Sequence, residues 1–377
     1  MDSIIDLRSD TVTRPSAAMR RAMYEAEVGD DVYREDPTLN RLQERAAEVF
    51  GREAGLFVAS GTMGNQAALK VHGKPGQEVI CEARAHIYNF EMGTVAAFAG
   101  LVPRTVWAED GILTWELIAP FVRGRGDHRA RTALVEMENT SNIAGGSVYP
   151  PQVFDDIADH VHAAGLPVHL DGARIFNAGV ALGRHVTELT GKADSVMFCL
   201  SKGLGAPVGS MLVGSKEFIE EARIARKMLG GGMRQAGILA AAGLLALEEG
   251  PKRLHLDHEN ARFLARGLAE IPGISVETEK VVTNILFFDV SGTGLSAPEV
   301  SQRLKARNVL ANAYDAKLIR MVTHLDVDRA GCERALCVLR EVLAGAEKKA
   351  VGSTQSAVSS RQSAVGSKSA NRKTLSF

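Results

Sequence analysis

Residues 168–174 read Val168-His169-Leu170-Asp171-Gly172-Ala173-Arg174, and residues 197–207 read Met197-Phe198-Cys199-Leu200-Ser201-Lys202-Gly203-Leu204-Gly205-Ala206-Pro207. In both, an apolar run enters one charged group and then a turn of small residues. A carboxylate at the end of a buried strand is costly unless it meets a positive charge. Asp171 alone would also serve as an ordinary helix N-cap. A lysine in the equivalent place sits partly desolvated at the rim of a sheet, where its amine becomes a nucleophile for carbonyls.

Outward from these two stretches the chain alternates. Further short apolar runs lie at 56–59, 78–81, 132–137 and 210–213, with 166–170 and 195–200 framing the stretches above. Amphipathic segments separate several of them. In 152–164, Val153, Ile157, Val161 and Ala164 recur at helical spacing. Strands alternating with helices predict an α/β fold: a large domain with a mostly parallel sheet covered by helices. Ligands bind at the carboxyl ends of such strands. After about residue 250 the pattern changes to helices at 251–271, 298–307 and 328–344 and strands at 273–277, 284–289 and 318–322. That predicts a smaller C-terminal α+β domain.

The expected organisation is an N-terminal arm and helix (1–50) lying over the large domain or a neighbouring subunit, a large domain (51–250), a small domain (251–346) and a tail (347–377). The tail holds six bases and one acid, repeats Gln-Ser-Ala-Val, and has too few large apolar groups to offset its ordering entropy. It is expected to be disordered.

The chain has 377 residues, 44 Lys+Arg against 45 Asp+Glu, and 45% apolar residues. Near-neutral charge argues against nucleic-acid binding driven by bulk charge. No apolar run approaches the roughly 20 residues that cross a bilayer, and acids stand where a signal peptide needs bases. A cytoplasmic protein is expected, with no membrane and no nucleic-acid partner. Cys81, Cys199, Cys332 and Cys337 lack metal-ligand spacing, so they read as packed thiols and no metal is expected. His160, His162, His255 and His258 fall on helical segments and read as solvated faces.

A third informative piece is Ser60-Gly61-Thr62-Met63-Gly64-Asn65, which follows one strand and opens a helix. Its small residues let backbone N–H groups approach an anion at the helix N-terminus. An anion cradle, an acid and a lysine on successive strand ends suit pyridoxal 5'-phosphate, which has a phosphate, a pyridine nitrogen and an aldehyde.

Six segments in this order carry a resemblance: residues 6–15, 29–33, 60–65, 169–174, 201–205 and 230–235. Over about residues 4–345 the sequence resembles the low-specificity L-threonine aldolases, pyridoxal-phosphate enzymes of the aspartate-aminotransferase fold (fold type I). The resemblance implies a seven-stranded type of sheet and assigns roles. Lys202 matches the lysine that binds the cofactor aldehyde, and Asp171 the partner of the pyridine nitrogen. Gly61 and Thr62 match backbone phosphate contacts. Lys227 and Arg234 match basic groups of the phosphate region at a subunit interface. His86 matches the imidazole stacked on the cofactor ring. Ser9, Arg174 and Arg320 match the groups that hold the substrate carboxylate, with Arg174 also beside the cofactor. Tyr33 lies near the entrance in family members.

One departure stands out. The family commonly reads Glu-Asn-Thr-His-Asn where this chain has Glu138-Asn139-Thr140-Ser141-Asn142. The resemblance places Ser141 at the substrate, where the family's histidine contacts the β-hydroxyl side, but serine is shorter and cannot act as a base near neutral pH. Removing the substrate hydroxyl proton then falls to His86, a water or the cofactor phosphate. The implied reaction splits L-threonine or L-allo-threonine into glycine and acetaldehyde, in a homotetramer whose sites span a dimer interface. A β-eliminating lyase or racemase on the same scaffold is the alternative within enzymes. A cofactor-free binding protein is the alternative outside them.

Overall fold

The computed structural model describes residues 4–344. Its strands are β1 (Ile5–Asp6), β2 (Ala54–Val58), β3 (Glu78–Glu82), β4 (Val102–Val106), β5 (Thr132–Glu138), β6 (Val168–Asp171), β7 (Ser195–Cys199), β8 (Ser210–Gly214), β9 (Ile285–Asp289), β10 (Val309–Leu310), β11 (Asn312–Ala313) and β12 (Leu318–Val322). Seven of them form one sheet in the order β2-β8-β7-β6-β5-β3-β4. Strand β8 runs antiparallel to β2 and β7, and every other pair is parallel. Strands β3, β5, β6, β7 and β8 are buried along their whole length, which is why they read as continuous rather than alternating apolar runs.

Helices cover both faces. Val135 and Met137 of β5 face one core with Phe154 and Ile157 of the helix Pro151–Ala163. Leu134 faces the opposite core with Leu69 of the helix Gly61–His72. Within the seven-stranded sheet the missed strand is β4, at its edge. Its sequence, Val-Pro-Arg-Thr-Val, is half polar, and its proline is tolerated because an edge leaves N–H groups unpaired.

The small unit carries a three-stranded antiparallel sheet, β11-β12-β9. It packs on the helix Ala297–Lys305, on helical residues 329–344 and on Ala261, Leu264, Ala265 and Leu268 of a long helix. That helix spans Gly237–Ala269 with Pro251 inside it, rather than starting at 251. Its amino-terminal half, with Ala240, Ala242, Ala246 and Leu247, belongs to the large core.

Two further expectations differ. Residues 273–277 make no strand, only one bridge from Ser275 to Asp289. Gly273, at φ +80°, lies against Gly292 so closely that a Cβ would come within 2.6 Å of backbone, and a 3-10 turn at Thr278–Lys280 follows. The segment turns away before it can lengthen the ladder. The arm also reaches further than the large domain: β1 pairs in parallel with β10 of the small unit. The helix Pro37–Val49 does lie on the large core, through Leu39, Leu42 and Ala46.

Cys81, Cys199 and Cys332 are buried, while Cys337 is exposed. Among the described residues no helix is long and apolar enough to cross a membrane. The tail at 347–377 lies outside the described residues.

Candidate active site

Chemistry-bearing side chains gather at the carboxyl edge of the large sheet. Asp171 is the last residue of β6, and Glu138 the last of β5. Lys202 follows the end of β7 by three residues. His86 opens the helix His86–Asn89 just after β3. The helix Gly61–His72 starts there after β2, with the Ser60 hydroxyl accepting from the Met63 N–H at 3.1 Å. Glycine is required at position 64: a Cβ there would come within 2.7 Å of Met197 on β7. The bare turn lets this helix start hard against the sheet.

Asp171 is buried and accepts from the Ala173 N–H at 3.0 Å and from Asn65 Nδ2 at 2.8 Å. Asn65 Nδ2 also donates to Glu91 at 2.9 Å, and Gln66 Nε2 donates to the other Glu91 oxygen at 2.6 Å. Glu91 in turn lies 2.8 Å from His86 Nδ1. Burial works against the His86 cation, but the Glu91 hydrogen bond and the Asp171 charge outweigh it and raise the imidazole's pKa, with Lys202 opposing. Glu138 receives the backbone N–H groups of His86 and Asn142, each at 2.7 Å. Burial and the neighbouring Asp171 still push its pKa up to about 7. Donor atoms of His86, Glu91 and Asp171 lie within 4.8 Å of one another, a spacing a cation could use. The amide and imidazole donors already serve those carboxylate oxygens.

Beyond this cluster lie two arginines. Arg174 is buried, and its Nε and Nη2 grip both Asp10 oxygens at 2.7 Å. Its remaining nitrogen, Nη1, lies 3.3 Å from Asn142 Oδ1, which also accepts from Arg320 Nη2 at 2.6 Å. Two guanidinium groups from different units of the fold thus converge on one oxygen. Burial and the nearby Arg174 charge lower the Arg320 pKa to about 10, with Asp10 opposing. Lys202 lies at the same edge of the sheet, three residues past the end of β7, the strand that pairs with β6 beside Asp171. Ser9 adjoins Asp10, and its hydroxyl accepts from the Thr11 N–H and hydroxyl at 3.2 and 2.8 Å.

Three anticipated residues, Lys227, Arg234 and Tyr33, stand apart from this cluster within the single chain. Lys227 and Arg234 are exposed, and Arg234 pairs with Asp30 at 3.0 Å. Tyr33 is exposed on the loop before the helix Pro37–Val49. Ser141 is buried, but its side chain lies over Gly111, where a Cβ would come within 2.6 Å of the Ser141 hydroxyl. His258 corrects the reading of solvated helix faces. It is buried, 3.1 Å from Asn177 Nδ2, and burial lowers its pKa to about 4. The helix there passes between the two cores, so a face that looks outward in sequence is covered.

Asp10, Asn142, Asn65 and Glu91 are the residues that sequence reasoning missed. Asp10, Asn65 and Asn142 lay inside quoted motifs, and only the contacts reveal what they hold.

The donor set fits a phosphorylated pyridine aldehyde. Among the described residues the N–H groups of Gly61 and Thr62 have no partner, as expected of a helix N-terminus that meets an anion. The Lys202 amine has no hydrogen-bond partner among them either. Each Asp171 oxygen accepts a single hydrogen bond, leaving lone pairs for a ring N–H.

The beta-eliminating lyase family matches residues 6–291. A low-specificity L-threonine aldolase of Escherichia coli O157:H7 is 47% identical over 327 residues, covering 86% of this chain and 95% of that protein. Low-specificity L-threonine aldolase 1 of Arabidopsis thaliana is 43% identical over 344 residues, 90% of this chain and 96% of that one. Among solved structures, the Leishmania major threonine aldolase superposes with a TM-score of 0.74 at 21% identity, covering 90% and 99% of the two chains, a likeness of fold. With identity of this extent over most of the chain, the chain belongs to the low-specificity L-threonine aldolases of the beta-eliminating lyase family.

Proposed function

We propose that this protein is a pyridoxal-phosphate-dependent aldolase. It cleaves L-threonine, L-allo-threonine and related β-hydroxy-α-amino acids into glycine and an aldehyde, acetaldehyde for the first two. The observation that carries this reading is the convergence of Arg174 and Arg320 on one oxygen, at the sheet edge where the strands leading to Lys202 and His86 also end.

Bound there, the cofactor supplies an electron sink for the pair released when the Cα–Cβ bond breaks. Lys202 offers the amine that holds the aldehyde, and Asp171 faces the ring nitrogen. The N–H groups of Gly61 and Thr62 hold the phosphate. Arg174 Nη1 and Arg320, with Ser9 beside them, hold the amino acid's carboxylate where Asn142 Oδ1 now sits. Fixing that carboxylate fixes which bond at Cα is aligned for cleavage. His86, with Nδ1 held by Glu91, presents Nε2 to the substrate hydroxyl and takes its proton. Ser141, lying over Gly111, takes no part in that transfer.

Lys227 and Arg234 complete the phosphate region of a neighbouring subunit in a dimer of dimers. Their exposure supports this, as do the exposed apolar side chains of Tyr24, Tyr33, Ile224 and Met228. Three unpaired buried thiols support a reducing compartment, the cytoplasm.

Product analysis tests the activity. L-threonine, L-allo-threonine and L-phenylserine should each yield glycine and an aldehyde. Ammonia and an oxo acid would mark a β-eliminating lyase instead. Lys202→Ala should lower turnover by roughly 10³-fold or more.

A further inference from the structure

A buried line of polar groups runs from Asp171 back along the sheet to its opposite end. Asn65 Oδ1 lies 3.1 Å from His169 Nε2, His169 Nδ1 lies 2.8 Å from Ser195 Oγ, and Ser195 Oγ lies 2.7 Å from His72 Nε2. Asn65, His169 and Ser195 are fully buried. His169 lies within β6, Ser195 opens β7, and His72 ends the helix that began at Gly61. His72 lines a surface cleft with His162, Asp194 and Arg52.

The direction of every proton in this line follows from its end. Both Asn65 amide hydrogens are committed, one to Asp171 and one to Glu91. Asn65 Oδ1 can then only accept, so His169 Nε2 must carry a hydrogen. A neutral imidazole has one N–H, so with the hydrogen on Nε2 the His169 Nδ1 lone pair takes the Ser195 hydroxyl hydrogen, while the Ser195 backbone carbonyl beside the ring favours its charged form. The Ser195 oxygen is left to accept, and His72 Nε2–H is the donor it meets. Neutrality of both rings agrees with their surroundings: burial pushes His72 down to about 4 and His169 down to about 3.

We infer that His72, Ser195, His169 and Asn65 form a one-way hydrogen-bond chain that locks the Asn65 amide and thereby holds Asp171 as an acceptor for the cofactor's ring nitrogen. They are positioning residues, and none touches the reacting atoms. Without the Ser195 hydroxyl, His169 can adopt its other tautomer, and its Nε2 lone pair then faces the lone pairs of Asn65 Oδ1. That repulsion pushes the Asn65 amide out of line with Asp171 and Glu91, although their two hydrogen bonds oppose it. The inference rests on the cofactor reading above.

Two variants test it, Ser195→Ala and Asn65→Ala, with parent protein alongside. The readouts are the pyridoxal-phosphate dissociation constant by equilibrium dialysis, kcat and KM for L-threonine, and melting without cofactor as a check of folding. For Ser195→Ala the dissociation constant should rise and kcat fall by about tenfold, the scale carried by outer hydrogen bonds that orient a ligand group. KM should stay within about twofold of the parent, since the two arginines are untouched. Asn65→Ala should show the larger loss in both. A folded Ser195→Ala with the parent's dissociation constant and kcat would overturn the chain. Should Ser195→Ala not fold, an Asn65→Ala that binds cofactor like the parent overturns it equally. Parent protein that binds no pyridoxal phosphate would instead overturn the cofactor reading.

Discussion

Asp10 lies 164 positions before Arg174 in the chain, yet its two oxygens set how that guanidinium points. Both groups are buried, so removing one charge strands the other. Asp10→Asn should therefore cost about 3–5 kcal/mol of stability. It should also raise KM for L-threonine roughly tenfold or more, because Arg174 loses its bidentate grip. Burial opposes the Asp10 carboxylate, but the Arg174 charge and hydrogen bonds dominate and hold its pKa well below the usual carboxylate range. A depressed folded pKa gives stability that is present above the unfolded value of about 4 and is lost as pH falls below it. Melting curves from pH 7 to 3 should be flatter for Asp10→Asn than for the parent; equal slopes would rule this pair out as a source of acid sensitivity. The placement of Lys202 and Asp171 at the sheet's edge was legible in the sequence because each interrupts the end of an apolar run. The Asp10 pair was not, since no spacing connects residues that far apart and only folding places them together.

Strand β5 carries a different liability. Glu136 is fully buried, and neither of its carboxyl oxygens has a partner among the described residues. Burial, then the charges of Asp171 and Glu138, push its pKa well above the ordinary value. A carboxyl that stays neutral when folded but ionises when unfolded loses stability as pH rises above about 4.3. Glu136→Leu should remove that loss and raise the melting temperature by roughly 2–4 °C at pH 7, with a smaller gain at pH 5. A lower melting temperature at both pH values would mean that Glu136 has a partner beyond the groups described. In sequence, β5 was legible despite this glutamate because apolar residues surround it. Edge strand β4 was not, because Pro103 and Arg104 break its pattern. The long helix was legible only in part. Pro251 reads as a first helical residue, where its missing N–H costs nothing. Here packing holds the helix through it, with Gly250 pressed on Leu204 so closely that a Cβ would come within 2.8 Å.

At the scale of the whole molecule, the proposed function has each site shared between two chains. Lys202→Ala would lack its own amine and Arg234→Ala would lack the base it lends a neighbour. Mixing the two inactive proteins under conditions that exchange subunits should recover part of the parent's turnover, read as glycine formed. No recovery from a mixture shown to contain hybrid oligomers would confine Arg234 to its own chain. The division into a large α/β unit and a smaller α+β unit was legible from the change in pattern near residue 250. What no local pattern could reveal is that one helix enters both cores. Its 33 residues make a girder about 50 Å long. Near its middle, Gly250 and Leu254 bear on Leu204 and Gly203, the turn that follows Lys202. Farther along, the same girder carries the sheet in which Ile319 and Met321 flank Arg320. Amine and guanidinium are thus bolted to a single beam, so the span a substrate must bridge is gauged by the stiffness of that beam.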